Sequence, residues 1–422
     1  MGDVTRLLKT VESSTKVYLD YLQSKNLPEP SYQHGNGLDP RVPLPVEVAK
    51  AHQAAIEATD ELHHLLLGPL VQLFHATGEQ LVLLSIQYIY EYGIAAHVPL
   101  EGSISMKELA QLTGLNVKDL TRFLRVAISR HIFDEPEKGQ ITHTASSKLL
   151  INNPMVQSWL MNIAQEFWPA FSRTVEATKK WPGSEEPHEA GYSLSNGTSS
   201  NPFDHIKKDP KRQQQFIEAM RFSHLHPEFH LSHLLENYKF DQAGNSPTIV
   251  DIGGSNGEVS IEIASRYPNA QCIVQDLPDT IAGLKEHVPL ELRDRVTGMA
   301  HDFLTPQPIK GADIYLLRWI LHDWSDLYCI KILRNLIPAL KQGARVVIND
   351  ICIPEPGQLG PKANRELRFM DISMKAFNNA RERDVEAWKD LFERTDPNLH
   401  LLGISVPNGG RMAIIEAEWR GD

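Results

Sequence analysis

The stretch from Thr248 to Gly257, TIVDIGGSNG, decides the fold of this chain. Three apolar residues, Ile249, Val250 and Ile252, lead into a glycine-rich turn, and an amphipathic segment, EVSIEIASRY, follows directly. This is the pattern of a buried parallel strand entering a helix. The glycines let the backbone approach a ligand closely, and Asp276, about 20 residues further on at the end of CIVQDL, stands where an acid can hold a ribose hydroxyl pair. The turn departs from GxGxxG, so a pyrophosphate-bearing dinucleotide is disfavoured. Asp251 at its start suits a cation or an amino group better than a phosphate.

Outward from this turn, apolar runs alternate with helical stretches: AQCIVQDL, ADIYLLRWIL and ARVVINDICI. That alternation predicts an α/β domain built on a doubly wound, Rossmann-like sheet, with ligands at the carboxyl edge of its strands. Just beyond ADIYLLRWIL comes His322, in RWILHDWSD. Asp350 ends the next strand and Glu382 follows in NNARERDVEAW. One imidazole and two carboxylates are thus available to one cleft. A neutral imidazole can take a hydroxyl proton, and a carboxylate on its other nitrogen stabilises the imidazolium formed.

The N-terminal half reads differently. A helix is predicted over 4–24, followed by a Pro/Gly-rich arm, NLPEPSYQHGNGLDPRVPLP, and helical periodicity from Val46 to about Ala96. Residues 103–150 predict helix, turn, helix and hairpin, with Ser105 or Ser103 and Asn116 as caps and Gly114 at the turn, a winged-helix pattern. Residues 183–203 read as a surface loop, and helices are predicted over 209–224 and 227–238. The expected domains are an N-terminal helix and arm over 1–45, a helical and winged-helix dimerisation domain over 46–180, linking elements over 181–238 and a cofactor-binding domain over 239–422.

Composition narrows the function classes. Lys plus Arg number 42 against 53 for Asp plus Glu, a net charge of −11, so the overall basic footprint of a nucleic-acid binder is missing. A DNA-binding regulator is therefore the weaker reading of the winged helix, although Lys118, Arg122, Arg125 and Arg130 lie on its second helix. The stretch Leu81 to Leu100 carries Gln87, Glu91 and His97, which a membrane span would rarely tolerate. Three scattered cysteines make no disulfide framework. With no secretory signal read at the N-terminus, the expectation is a cytoplasmic protein. No metal motif is present, and the His-rich spots at His63, His64, His224, His226 and His230 read as surface or interface.

From about residue 100 to 420 the chain resembles the S-adenosylmethionine-dependent O-methyltransferases of the plant caffeate type and their fungal secondary-metabolite relatives. The carriers are DIGGSNG, QDLP, HDFL, RWILHDWSD, VVINDICIPEPG and NNARERDVEAW. The resemblance implies His322 as general base, with Asp350 and Glu382 as its acids. It implies cofactor contacts from Asp251, Gly253, Gly254, Ser255, Asp276, Leu277, Asp302, Phe303 and Arg318. Arg318 stands where plant members often have Lys, and Ser255 replaces the more frequent glycine.

For the acceptor, the resemblance points to Trp319, Phe216, Met220, Asn162, Phe167, Met370, Ile372, Ser373 and Phe377, with Trp168 beside them. It further implies a homodimer formed through the N-terminal half and a planar phenolic or polyketide acceptor. Some fungal relatives bind the same cofactor yet catalyse pericyclic or dehydration reactions, with the base position replaced. Retention of His322 favours methyl transfer.

Overall fold

The computed structural model describes residues 2–34, 44–224 and 227–421. Contacts group them into two units that interleave along the chain. The first gathers Met1–Pro169, Ile206–Pro227 and Gly360–Glu366; the second gathers Ala170–His205, Glu228–Leu359 and Leu367–Asp422. Residues 35–43 of the predicted arm, and His226, lie outside the described residues.

In the first unit, helix Asp3–Ser24 packs on helix Val46–Ala76 through Tyr18, Leu22 and Val48. The second helix breaks at Gly68 (φ 72°), because Pro69 cannot continue the hydrogen-bond ladder. Helix Met106–Thr113 is capped by Ser105, whose Oγ accepts the Glu108 amide at 3.1 Å, and it stops at left-handed Gly114. Asn116 caps helix Val117–Ile128. Strands β1 (Ile104–Ser105), β2 (Phe133–Glu137) and β3 (Gln140–His143) form an antiparallel sheet in the order β1-β3-β2. Leu109, Leu120, Leu124, Phe133 and Ile141 are its buried core.

The three arginines of this module are already engaged. Arg125 makes a two-pronged pair with Glu135 (2.8 and 2.9 Å), Arg122 meets Asp119 and Arg130 meets Glu79. Guanidinium groups neutralised in this way offer little to a phosphate backbone.

The second unit holds the large sheet. Its strands are β4 (Thr248–Ile252), β5 (Gln271–Asp276), β6 (Val296–Ala300), β7 (Ile314–Arg318), β8 (Arg345–Ile353), β9 (Arg383–Asp384), β10 (Leu399–Ser405) and β11 (Met412–Trp419). The order is β10-β11-β8-β7-β4-β5-β6, with β9 pairing β8. Strands β6, β5, β4, β7 and β8 are parallel, and β11 runs antiparallel between β8 and β10. Chain order reverses at the β4–β7 boundary, which opens a crevice at their carboxyl ends.

Two expectations need correcting. Residues 183–203 are not a surface loop: Pro187, Ala190, Gly191, Tyr192 and Ser193 are buried, and helix Gly191–Asn196 forms within the stretch. Its polar groups are used inside the unit, where Asn379 donates to the carbonyls of Glu186 and Glu189 (2.8 and 3.0 Å). Over 227–238, a 3-10 turn, Pro227–Phe229, precedes a short helix, Ser232–Asn237, in place of one continuous helix.

Candidate active site

Strand β4 delivers Asp251 and Ile252 to the crevice, and the chain then turns sharply. Gly253 has φ 70°, and the Gly253 and Gly254 amides donate to the carbonyl of Gln275 (2.7 and 3.1 Å). A Cβ on Gly254 would sit 2.7 Å from Asp251 Cγ and 2.8 Å from Val274 Cγ1, so this position requires glycine. Asp251 itself is buried under the turn and accepts from Ser260 Oγ at 2.7 Å. Burial pushes its carboxyl up to about 6. Asp276, at the end of β5, receives the amides of Ser255 (2.9 Å) and Leu277 (2.8 Å). Ser255 adopts φ 50°, left-handed backbone that glycine would take without strain.

Asp302 and Phe303 follow β6. Asp302 accepts the Leu304 amide at 2.9 Å, and Phe303 meets Trp324 edge-on at 5.8 Å. Arg318 ends β7, donating to the Phe229 carbonyl at 2.6 Å and to Asn349. Burial pulls its guanidinium down to about 10 against the opposing fields of Asp350 and Asp251. The turn of close-packed backbone, the partly exposed Asp276 and the carboxylate-rich floor suit a ligand with ribose hydroxyls and positive charge. S-adenosylmethionine has both, and Asp276 with the Gly253–Ser255 backbone would hold it.

After Arg318 the backbone makes an unusual bend, with Trp319 at φ 56°, before the 3-10 turn Leu321–Asp323 presents His322. Strain of this kind in a bulky residue collects at functional sites. His322 is buried, and its Nδ1 lies 3.0 Å from Glu382 Oε1. Its Nε2 lies 3.5 Å from Asp323 Oδ1. Asp350 occupies a different place from a ring partner: its Oδ2 accepts the backbone amides of Leu321 (3.0 Å) and His322 (3.2 Å). Asp350 therefore shapes the loop, and Asp323, given no role by the sequence reading, is the second carboxylate on the imidazole.

Burial works against a charge on His322, but Asp323, Glu382 and Asp350 together outweigh it and raise the imidazole to about 10. Burial pushes Asp350 up to about 7, and its Oδ1 is a buried atom without a hydrogen-bond partner.

Trp319 and Met370 pack with Phe229 beside this histidine, the Trp319 and His322 rings 4.8 Å apart. Ile372 is exposed, Ser373 donates to the Phe369 carbonyl at 2.7 Å, and Phe377 is core, edge-on to Tyr192 and Phe203. Phe216, Met220, Asn162, Phe167 and Trp168 belong to the first unit. Asn162 there is fully buried, next to the π-turn Ile163–Phe167, and both of its side-chain polar atoms lack a hydrogen-bond partner. Leu277 is 41% exposed at the edge of the turn. Among the described residues, no cluster of His, Cys, Asp or Glu has the makings of a metal site, and no helix is long and apolar enough to cross a membrane. All three cysteines are free and buried.

A sheet of this order with a glycine turn on β4 and a carboxylate-backed histidine after β7 defines the class of S-adenosylmethionine-dependent methyltransferases. Residues 182–396 match the family model of the O-methyltransferase domain. The chain is 36% identical over 427 residues to the O-methyltransferase pyvH of Aspergillus violaceofuscus, covering 99% of each. It is 38% identical over 419 residues to a chlorophenol O-methyltransferase of Trichoderma longibrachiatum, covering 98% of this chain and 89% of that protein. A solved structure of OxaC in complex with S-adenosylhomocysteine and oxaline superimposes with TM-score 0.77 at 22% identity, over 99% of this chain and 100% of that one. The chain belongs to the O-methyltransferase family and is an S-adenosylmethionine-dependent O-methyltransferase of the fungal secondary-metabolite type.

Proposed function

We propose that this enzyme methylates a phenolic hydroxyl of a polyketide-like metabolite in the cytoplasm, with His322 as general base. The observation that carries the reading is the 3.0 Å contact between His322 Nδ1 and Glu382 Oε1. It fixes the ring and makes Nε2, with Asp323 Oδ1 3.5 Å away, the atom that receives a proton. The cofactor supplies an electrophilic methyl group. His322 and the surrounding wall position the acceptor oxygen and take its proton.

A phenol is an acidic hydroxyl, titrating near 10, and the carboxylates of Asp323, Glu382 and Asp350 favour the imidazolium that His322 forms on taking its proton. Because His322 carries a proton in the free enzyme at neutral pH, it must release that proton before it accepts one. The chlorophenol-methylating relative supports the same acceptor class. Trp319 supplies an aromatic surface for a planar ring.

The test is mass spectrometry of chlorophenols and polyketide phenols incubated with the enzyme and methyl-labelled S-adenosylmethionine. A labelled ether with one S-adenosylhomocysteine per product, and a rate lowered roughly 10²–10⁴-fold in H322A, is the expected result. Turnover that leaves the cofactor intact would replace this reading with pericyclic or dehydration chemistry. An unchanged rate in H322A would remove the base.

A further inference from the structure

The loop that presents His322 is held from beneath by one fully buried cation. Arg383 has no exposed surface, yet its guanidinium is saturated: Nε donates to Asp326 Oδ1 at 2.8 Å, one terminal nitrogen donates to the Leu321 carbonyl at 2.9 Å, and the other donates to the Trp324 carbonyl at 2.9 Å. The last nitrogen also lies 3.2 Å from Cys329 Sγ, and the group stacks over Trp388 at 5.3 Å. These partners bracket His322 in the sequence on both sides.

Burying a guanidinium costs several kcal/mol unless every donor finds a partner. A framework role alone would be met more cheaply by an apolar residue. What the fork adds is geometry, because its planar donors fix two carbonyls and a carboxylate at set distances from one another. Its neighbour Glu382 holds the imidazole of the same loop at 3.0 Å. Asn378 adds a third grip, donating to the Asp323 carbonyl at 2.6 Å.

We infer that Arg383 is a positioning residue for the reaction: it fixes the main chain of Leu321–Asp326 so that the His322 ring meets Glu382 on one nitrogen and the acceptor on the other. This rests on the reading of His322 as base. Lysine at 383 could satisfy one or two of these acceptors but not the fork, and methionine none.

The test uses the full chain with histidine labelled with nitrogen-15 and S-adenosylhomocysteine bound, the His322 signals being assigned by their loss in H322A. In R383K the His322 ring resonances should move, and its titration midpoint should fall by about one pH unit as the Glu382 contact loosens. The shift should be larger in R383M, with the other histidines unmoved. Unaltered His322 signals in a folded R383K protein would overturn the inference. If neither variant folds, D326N carries the same measurement with the same two outcomes.

A kinetic arm separates this inference from the reading beneath it. With a chlorophenol as acceptor, R383K should lower kcat about 10–100-fold with KM little changed, and H322A/R383K should be no slower than H322A. Additive losses would overturn the positioning role. A full rate in H322A would instead overturn the base while leaving the resonance test standing.

Discussion

Asp350 touches His322 through its main chain: its Oδ2 accepts the His322 amide at 3.2 Å, while the ring nitrogen is met by Glu382. The two acids therefore make different contributions. E382Q removes the charge that stabilises the imidazolium and should slow methyl transfer about 10²-fold or more. D350N keeps an oxygen able to accept both amides, and Asp350 is already pushed up to about 7 by burial, so its loss of charge is partial at neutral pH. D350N should cost about tenfold or less. Initial rates of both variants with the same phenol check the order, and equal losses would contradict the division of labour.

The protonation of His322 sets a pH trend with a definite sign. Its folded value, about 10, lies above the ordinary 6.5, so the stability from the imidazolium among its carboxylates is complete below about 6.5 and is lost as pH rises through about 10. Asp350, also raised, acts in the same direction between about 4 and 7. The ligand-free enzyme should melt at lower temperature at pH 9.5 than at pH 7, and H322N should flatten that slope. Activity should run the other way, with kcat/KM climbing from neutral to alkaline pH as the base is freed. Both are read from thermal melts and rate profiles over the same buffers.

At the cofactor turn, two neighbouring positions should respond differently. G254A forces a Cβ to 2.7 Å from Asp251 Cγ, and the turn must open to accommodate it. S-adenosylhomocysteine affinity, measured by titration calorimetry, should fall at least tenfold, about 1.4 kcal/mol. S255G removes a side chain from left-handed backbone. The relief of roughly 1 kcal/mol is offset by the greater freedom of glycine in the unfolded chain. Stability and affinity should both stay close to wild type.

The parts of the molecule that could be read in advance are those encoded locally. TIVDIGG and ADIYLLRWIL are strands because they are apolar runs ended by turn residues, and Asp276 was placed by its strand. Strand β6, VTGMA, is an exposed edge with no apolar run, so periodicity does not mark it. Asp323 was adjacent to the base in sequence, but only the 3-10 turn brings its carboxylate back to Nε2. The Arg383 clamp joins residues 62 positions apart, and the polar 183–203 stretch is buried because distant side chains, such as Asn379, satisfy its carbonyls. Periodicity carries no record of either.

The first unit leaves one apolar face uncovered. Leu66, Leu70, Leu73 and Phe74 are between 67% and 71% exposed, and they flank the kink at Gly68 on the same helix, with Leu65 and Leu81 half-exposed nearby. Apolar surface of this extent on one segment is what a protein interface covers. The enzyme is expected to be a homodimer through this face, as the family resemblance implied. Light scattering should give about twice the 47.6 kDa chain mass at micromolar concentration. L66E/F74E places two charges in that face, where burying them unpaired costs several kcal/mol, and should yield a monomer that still binds S-adenosylhomocysteine. A wild-type protein that stays at the single-chain mass would remove the dimer, and a double variant that remains dimeric would move its interface elsewhere.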